Sequence, residues 1–193
     1  MNKQHIRPEF SEPILIGCAD VLRQCAQVLS VITAEHYRTA PVGHSSIGAH
    51  VRHGVEHFQQ LLAGINCGLI DYDQRDRDLS LEQDLSQFMH HHQGLIAELA
   101  LLENQPLNAT ISILQAPGNC VQTRPVASSV ERELLFCSSH FMHHLAMIRL
   151  IAQLLGVQLS TEIGLAYSTA NHLASTPALP LNATGTQGLN PLG

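Results

Sequence analysis

The chain predicts an all-α protein built as a four-helix bundle, and three observations carry that prediction. Apolar residues recur at three- and four-residue spacing over four long segments. Helix-capping and helix-breaking residues separate those segments. Hydrophobic residues make up 45% of 193 positions, enough to fill one core. With no Trp, three Tyr and five Phe, that core has to be filled by Leu, Ile, Val and Ala. Residues 1–175 read as one domain and residues 176–193, rich in Pro and Gly, as a flexible tail.

Pro13 opens the first helix, whose stripe of Ile14, Leu15, Cys18, Val21, Leu22, Cys25, Val28, Leu29 and Ile32 carries it to Glu35 or His36. Ser45 or Ser46 caps a second helix, Ile47 to Ile65, with Val51, Gly54, Phe58, Leu61 and Leu62 along one face. Asn66 to Asp78 reads as a polar connector. Ser80 is the expected cap of a third helix, which runs through Leu85, Phe88, Leu95, Leu99 and Leu102 and stops before Pro106. Thr110-Ile111-Ser112-Ile113-Leu114 alternates as a short strand does, and Pro117-Gly118-Asn119 marks a turn. Val121 to Val126 is then expected to pair back, making a small β-hairpin or extended insertion between helices three and four. Ser128 or Ser129 caps the fourth helix, which ends at Leu155 and Gly156, and a short C-terminal helix is expected between Thr161 and Leu173.

Composition excludes several classes of function. Net charge is −6 with histidine neutral, and no Lys/Arg cluster stands out, so a nucleic-acid partner is not expected. The five cysteines, Cys18, Cys25, Cys67, Cys120 and Cys137, are odd in number and widely spaced, which points away from a disulfide framework and toward a reducing compartment. The N-terminal residues lack the apolar stretch of a secretory leader, and no apolar run approaches the roughly 18 residues of a membrane span. A cytoplasmic protein with no membrane partner is the expectation.

Thirteen histidines against ten Lys plus Arg are the chemically loaded feature. His140 and His144 stand four apart on the fourth helix and project from one face. His140 lies at the edge of the face defined by Cys137, Phe141, Ile148 and Ile151, His144 lies within it, and His143 points away. On the second helix His50 and His57 flank the apolar stripe while His53 lies further round, so periodicity ranks His50 or His57 above His53. Two such groups on separate helices can give one divalent ion three imidazoles and leave coordination positions open. The plainer alternative is a set of core-edge histidines bonded to backbone carbonyls. Buried neutral imidazoles need partners for both nitrogens, and a paired set favours metal. His90-His91-His92 spans most of a helix circumference and cannot address one site.

Ser46-Ile47-Gly48-Ala49-His50-Val51-Arg52-His53 followed by Ser139-His140-Phe141-Met142-His143-His144 resembles the DinB/YfiT-like superfamily of metal-dependent enzymes over roughly residues 14–156. Asp71-Tyr72-Asp73-Gln74-Arg75 and Gly164-Leu165-Ala166-Tyr167-Ser168-Thr169 look like a branch of single-domain DinB-like proteins. The resemblance implies an up-down-down-up four-helix bundle with a divalent metal, nickel or zinc foremost and iron or manganese as alternatives. Its ligands map onto His53, His140 and His144, with His50 as the rival on the second helix and His57 as a rival or supporting residue. The resemblance further implies a thiol-dependent S-transferase or a hydrolase, since relatives include thiol-dependent S-transferases and a maleylpyruvate isomerase. A small-molecule substrate, a low-molecular-weight thiol and a homodimer follow as expectations. Glu56, Glu131 and His57 are the candidate proton carriers. The competing expectation is a non-catalytic, metal-binding or stress-associated helical dimer.

Overall fold

The computed structural model describes residues 10–119 and 124–175, which are mostly helical with a small three-stranded sheet. Helix α1 is Pro13–Val31, with proline in its first turn and Leu15, Cys18, Val21, Leu22, Cys25, Val28 and Leu29 buried. It ends earlier than its periodicity predicts, because Ile32 turns extended. The β-branched run Val31-Ile32-Thr33 is a poor helix interior. Thr33 instead caps a new short helix, α2, Ala34–Arg38: its hydroxyl accepts from the His36 backbone N–H, and the His36 ring accepts from Thr33 N–H.

Helix α3, Ile47–Ile65, has the bounds that the sequence predicts, and of the two serines it is Ser46 that caps it, accepting from Ala49 N–H at 3.0 Å. The segment after it, read as a connector, contains strand β1, Leu69–Asp71. Three residues are too few to show alternation, and the pairing that makes β1 a strand is non-local. The expected third helix is two. Asp78, not Ser80, caps α4, Leu79–Gln83. Asp84 then turns extended and caps α5, Leu85–Ala100, accepting from Ser86 and Gln87 N–H at 2.8 and 3.1 Å. Aspartate competes for free backbone N–H groups, so it favours a break and a fresh start over helix interior. A 3-10 turn, Leu101–Asn104, follows α5.

Strand β2, Thr110–Leu114, matches the alternating segment. It pairs in parallel with β1 (Ile70 opposite Ile113) and antiparallel with β3, Val126–Ser129 (Thr110 opposite Ser129). The return strand therefore begins where it was expected to end, and residues 121–123 lie outside the described residues. Ser129 caps α6, Val130–Leu154, which stops at Gly156 in the left-handed region. The short C-terminal helix is α7, Tyr167–Ser175; the tail at 176–193 lies outside the described residues.

One core of aliphatic and aromatic side chains joins the four long helices: α3 packs on α6 and α5, and α1 packs on α6 and α5. Helices α1 and α6 are long and apolar enough to cross a membrane by length and composition, although neither is a continuous apolar run. Each buries 44% of its apolar window against the rest of the structure. The four described cysteines are free thiols.

At the α3–α6 contact a β-carbon on Gly54 would stand 2.3 Å from the Phe141 ring, so glycine there sets how closely the two helices approach. Gly54→Ala is expected to cost about 1–3 kcal/mol through displacement of Phe141, read as a fall in the denaturant midpoint at unchanged slope.

Candidate metal centre

The close approach at Gly54 and Phe141 brings the neighbouring histidines of the two helices face to face. His50, His53 and His57 stand at i, i+3 and i+7 on α3, and His140 and His144 at i and i+4 on α6. The five rings form one continuous array. His53 lies 5.0 Å from His140, 4.7 Å from His144 and 4.6 Å from His57, centroid to centroid. His57 lies 4.3 Å from His140, His140 lies 4.7 Å from His144, and His144 lies 5.1 Å from His50. His143 is exposed at the rim.

Among the described residues, His53, His57 and His140 offer ligand atoms that all lie within 4.8 Å of one another. The expected set and this group share His53 and His140. They differ in the third member: His57 completes the group, while His144 packs its ring against the same two residues from the next turn. His57 was within reach of the sequence, because His53 and His57 are an i, i+4 pair like His140 and His144.

Hydrogen bonds define which nitrogens are free. The His53 carbonyl can only accept, so His57 Nδ1–H donates to it at 2.8 Å and leaves Nε2 as the lone-pair nitrogen. His140 Nε2 and His53 Nε2 stand 3.0 Å apart, and His50 Nδ1 and His144 Nδ1 stand 2.9 Å apart. Two ligands about 2.1 Å from a common ion are separated by roughly 3.0–3.4 Å for angles between 90° and tetrahedral, so the His53–His140 spacing suits a shared cation, while both spacings also suit an N–H···N hydrogen bond between neutral rings. The donor set fits a divalent transition metal: it is all imidazole, and the nearby carboxylate of Glu56 is committed elsewhere. Glu56 is 2% exposed and accepts from Arg52 Nη1 at 2.9 Å and from Asp78 N–H at 3.0 Å.

Tyr72, Arg75 and Phe136, which no motif or periodicity marks as site residues, also stand against the histidines. Tyr72 stacks on His57 and Phe136 stacks on His140, at 5.5 and 5.6 Å between centroids. Arg75 Nη1 lies 3.4 Å from His57 Nε2, and its Nε is 3.8 Å from Glu56. Arg75 and Tyr72 come from the connector, where a charge-rich stretch carries no periodic signal. Of the other nominated groups, Glu56 is buried in its ion pairs and Glu131 is exposed in the first turn of α6. Glu131 is nine residues from His140, about 13 Å along the helix.

Burial is the main force holding the array neutral. It pushes His53 down to about 3, helped by His57, Arg75 and His140. It lowers His144 to about 3, helped by His140 and His53, and His57 to about 4 against the opposing bond to His53. His50 and His140 are lowered in the same way. The unfolded chain protonates these rings near 6.5, the ordinary histidine value. Their neutral burial therefore contributes full stability above about pH 6.5, lost as pH falls toward 3–4. Metal-stripped protein is expected to melt several degrees lower at pH 5 than at pH 7.5, with a smaller difference after His144→Phe.

Comparison with known proteins places these features in a family. The model of the DinB superfamily matches residues 19–148. FK506-binding protein 5 of Rhizopus delemar is 31% identical over 108 residues, which cover 54% of this chain but 28% of that protein, so the chain spans under a third of that relative's length. The family match runs from within α1 into α6, covers more than half of the chain and takes in both histidine groups; the chain belongs to the DinB superfamily.

Proposed function

We propose that the chain is a metal-dependent enzyme whose divalent ion, nickel or zinc, is held by His53, His57 and His140, with His144 as the alternative third ligand. The observation that carries this reading is the convergence of three ligand atoms within 4.8 Å. Neutral imidazoles leave such an ion its full charge, and a bound divalent ion would supply Lewis acidity to a coordinated water or thiol. A thiol-dependent transfer or a hydrolysis is the reaction class.

The chain's own residues prepare that chemistry. The bond from His57 Nδ1 to the His53 carbonyl fixes the tautomer of that ring and leaves Nε2 with the lone pair, 3.4 Å from Arg75 Nη1. Tyr72 and Phe136 cover His57 and His140 and exclude water from their outer faces. Arg75, beside His57 Nε2, favours an anionic group on the substrate. A cavity of about 750 Å³ between the strands β2 and β3 and the first turns of α6 is lined by Ser128, Arg132, Glu133 and Phe136. It shares Phe136 with the histidine array, none of whose rings is in its lining, and has room for a small-molecule substrate.

The same reading takes the four long helices as an up-down-down-up bundle. Its support is the pairing of His50 with His144 and of His57 with His140, which runs α3 against α6. Tyr37, beyond the end of α1, meets Phe88 at the start of α5, while Ser11 bonds Glu103 past its far end. A homodimer, a cytoplasmic setting and the absence of a nucleic-acid partner belong to this proposal, the last on the net charge of −6.

The test is turnover by metal-loaded protein with a low-molecular-weight thiol and monochlorobimane, and with simple esters. Activity abolished by chelation and restored by the ion is the expected result. Stoichiometric metal without turnover in either assay would instead support a non-catalytic metal-binding protein, a reading favoured by the crowding of His57 and His144 around His53 and His140. His143→Ala is expected to leave metal content unchanged, because that ring is exposed and outside the converging group.

A further inference from the structure

The face of α6 turned away from the histidine array borders a second cavity. At about 100° per residue, Leu135, Ser138, Met142 and Ala146 lie on the opposite side of the helix from His140 and His144. Together with the first turns of α1 and the segment from Gly164 to Ser168 they line a cavity of about 640 Å³, the size of a small-molecule pocket. None of the five clustered histidine rings lines it. The outer wall is tied down at two points. Gly164 (φ 69°) lies so close to α6 that a β-carbon would stand 2.2 Å from the Ala146 nitrogen, and its N–H donates to Gln24 Oε1 at 3.1 Å. Tyr167 then donates its hydroxyl to Asp20 Oδ2 at 2.8 Å, which seats the start of α7 on α1.

We propose that this cavity is a binding site, separate from the metal centre, for a neutral and largely apolar molecule that carries one hydroxyl or carbonyl group. Ser138 supplies the polar contact. It is 5% exposed, and among the described residues its hydroxyl has no hydrogen-bond partner. A serine inside a helix commonly bonds back to the carbonyl four residues earlier. Here that carbonyl, Leu134, takes the Cys18 thiol at 3.6 Å in addition to its helical N–H. A buried hydroxyl without a partner costs free energy, and an oxygen on a bound molecule removes that cost. Around Ser138 the walls are apolar, and the flexible Met142 thioether can adapt to the shape of the occupant. Apart from His143, exposed at the rim, no acidic or basic side chain lines the cavity. Nothing there would compensate a charged molecule for leaving water, so the occupant is neutral.

The experiment is fluorescence titration of the full chain at pH 8 with N-phenyl-1-naphthylamine, a neutral apolar probe, followed by its displacement. The competitors are octan-1-ol, octan-2-one, octanoate and octylammonium. One saturable probe site per chain is expected, with the alcohol or the ketone displacing the probe at least about 10-fold better than either ion. Gly17→Leu should abolish binding. A β-carbon at that position meets no atom within 4 Å, so the new side chain grows into open space at the cavity, and leucine favours helix over glycine; the variant should melt no lower than wild type. Ser138→Ala should weaken octan-1-ol about 5-fold, the net worth of one neutral hydrogen bond. His53→Ala, which tests the metal centre, should bind the probe as wild type does. Absence of saturable binding, or binding that survives Gly17→Leu, overturns the site and leaves the metal reading untouched. Equal displacement by octanoate or octylammonium overturns the neutral ligand, and undiminished alcohol binding by Ser138→Ala overturns the role of the hydroxyl. Probe binding per chain that falls as chains associate at higher concentration would show a second copy covering the cavity, which also overturns the proposal.

Discussion

His53→Ala is expected to empty the metal centre, lowering affinity for Zn²⁺ or Ni²⁺ by more than about 100-fold. Loss of residues that merely orient ligands costs 10–100-fold, and His53 is more than that. Its Nε2 faces His140 Nε2 at 3.0 Å, and its ring touches those of His57, His140 and His144. His53 is common to the converging group and to the set that the family resemblance implies. The substitution should leave the fold intact, since the ring is only partly buried and the backbone carbonyl that holds His57 remains. Metal content by mass spectrometry and the circular dichroism of the stripped variant give the two readings needed. Stoichiometric metal in a folded His53→Ala protein would refute the site.

Glu56→Ala carries the largest expected effect on stability, a loss of about 3 kcal/mol. The carboxylate is 2% exposed, bonded to Arg52 and to Asp78 N–H, and 3.8 Å from Arg75. Truncation leaves two partly buried guanidinium groups short of their counter-ion and one backbone N–H without its acceptor. Glu82 still pairs with Arg52 at 3.1 Å, which keeps the cost at the lower end of the range for a broken buried pair. For a domain of this size that loss corresponds to a melting temperature lower by about 6–12 °C. Glu56→Gln retains an acceptor for Asp78 N–H and should lose less. A shift under about 2 °C for Glu56→Ala would show that the ion pairs contribute nothing net.

Local signals were legible and non-local ones were not. The bounds of α3 follow from Ser46 and an apolar stripe, and β2 follows from five alternating residues; both depend on neighbours in sequence. Strand β1 depends on β2, some forty residues away, and its three residues hold no pattern of their own. The breaks at Thr33 and Asp84 were hidden because apolar residues continue past them, whereas the backbone obeys the cap. Within the site, the pair on α6 follows from its four-residue spacing; on α3 the apolar stripe ranks His50 or His57 above His53, the family resemblance puts His53 first, and the four-residue spacing of His53 and His57 enters neither ranking. The stripe says which face a helix buries against the whole core. It does not say which flank meets one particular partner, and that is what selects ligands. Arg75 and Tyr72 reach the histidines only because β1 draws the connector onto the sheet.

The two halves of the centre are far apart along the chain: His53 meets His140 across 87 residues, and His50 meets His144 across 94. No early local structure contains the ligand set, because it exists only after α3 and α6 have docked and the loop between them has closed. An ion that binds only that assembled arrangement lowers the free energy of the native state and little before it. In folding kinetics, added metal should therefore depress the unfolding limb of the chevron and leave the refolding limb where it is, so that the ion acts as a latch on a finished fold and not as its template.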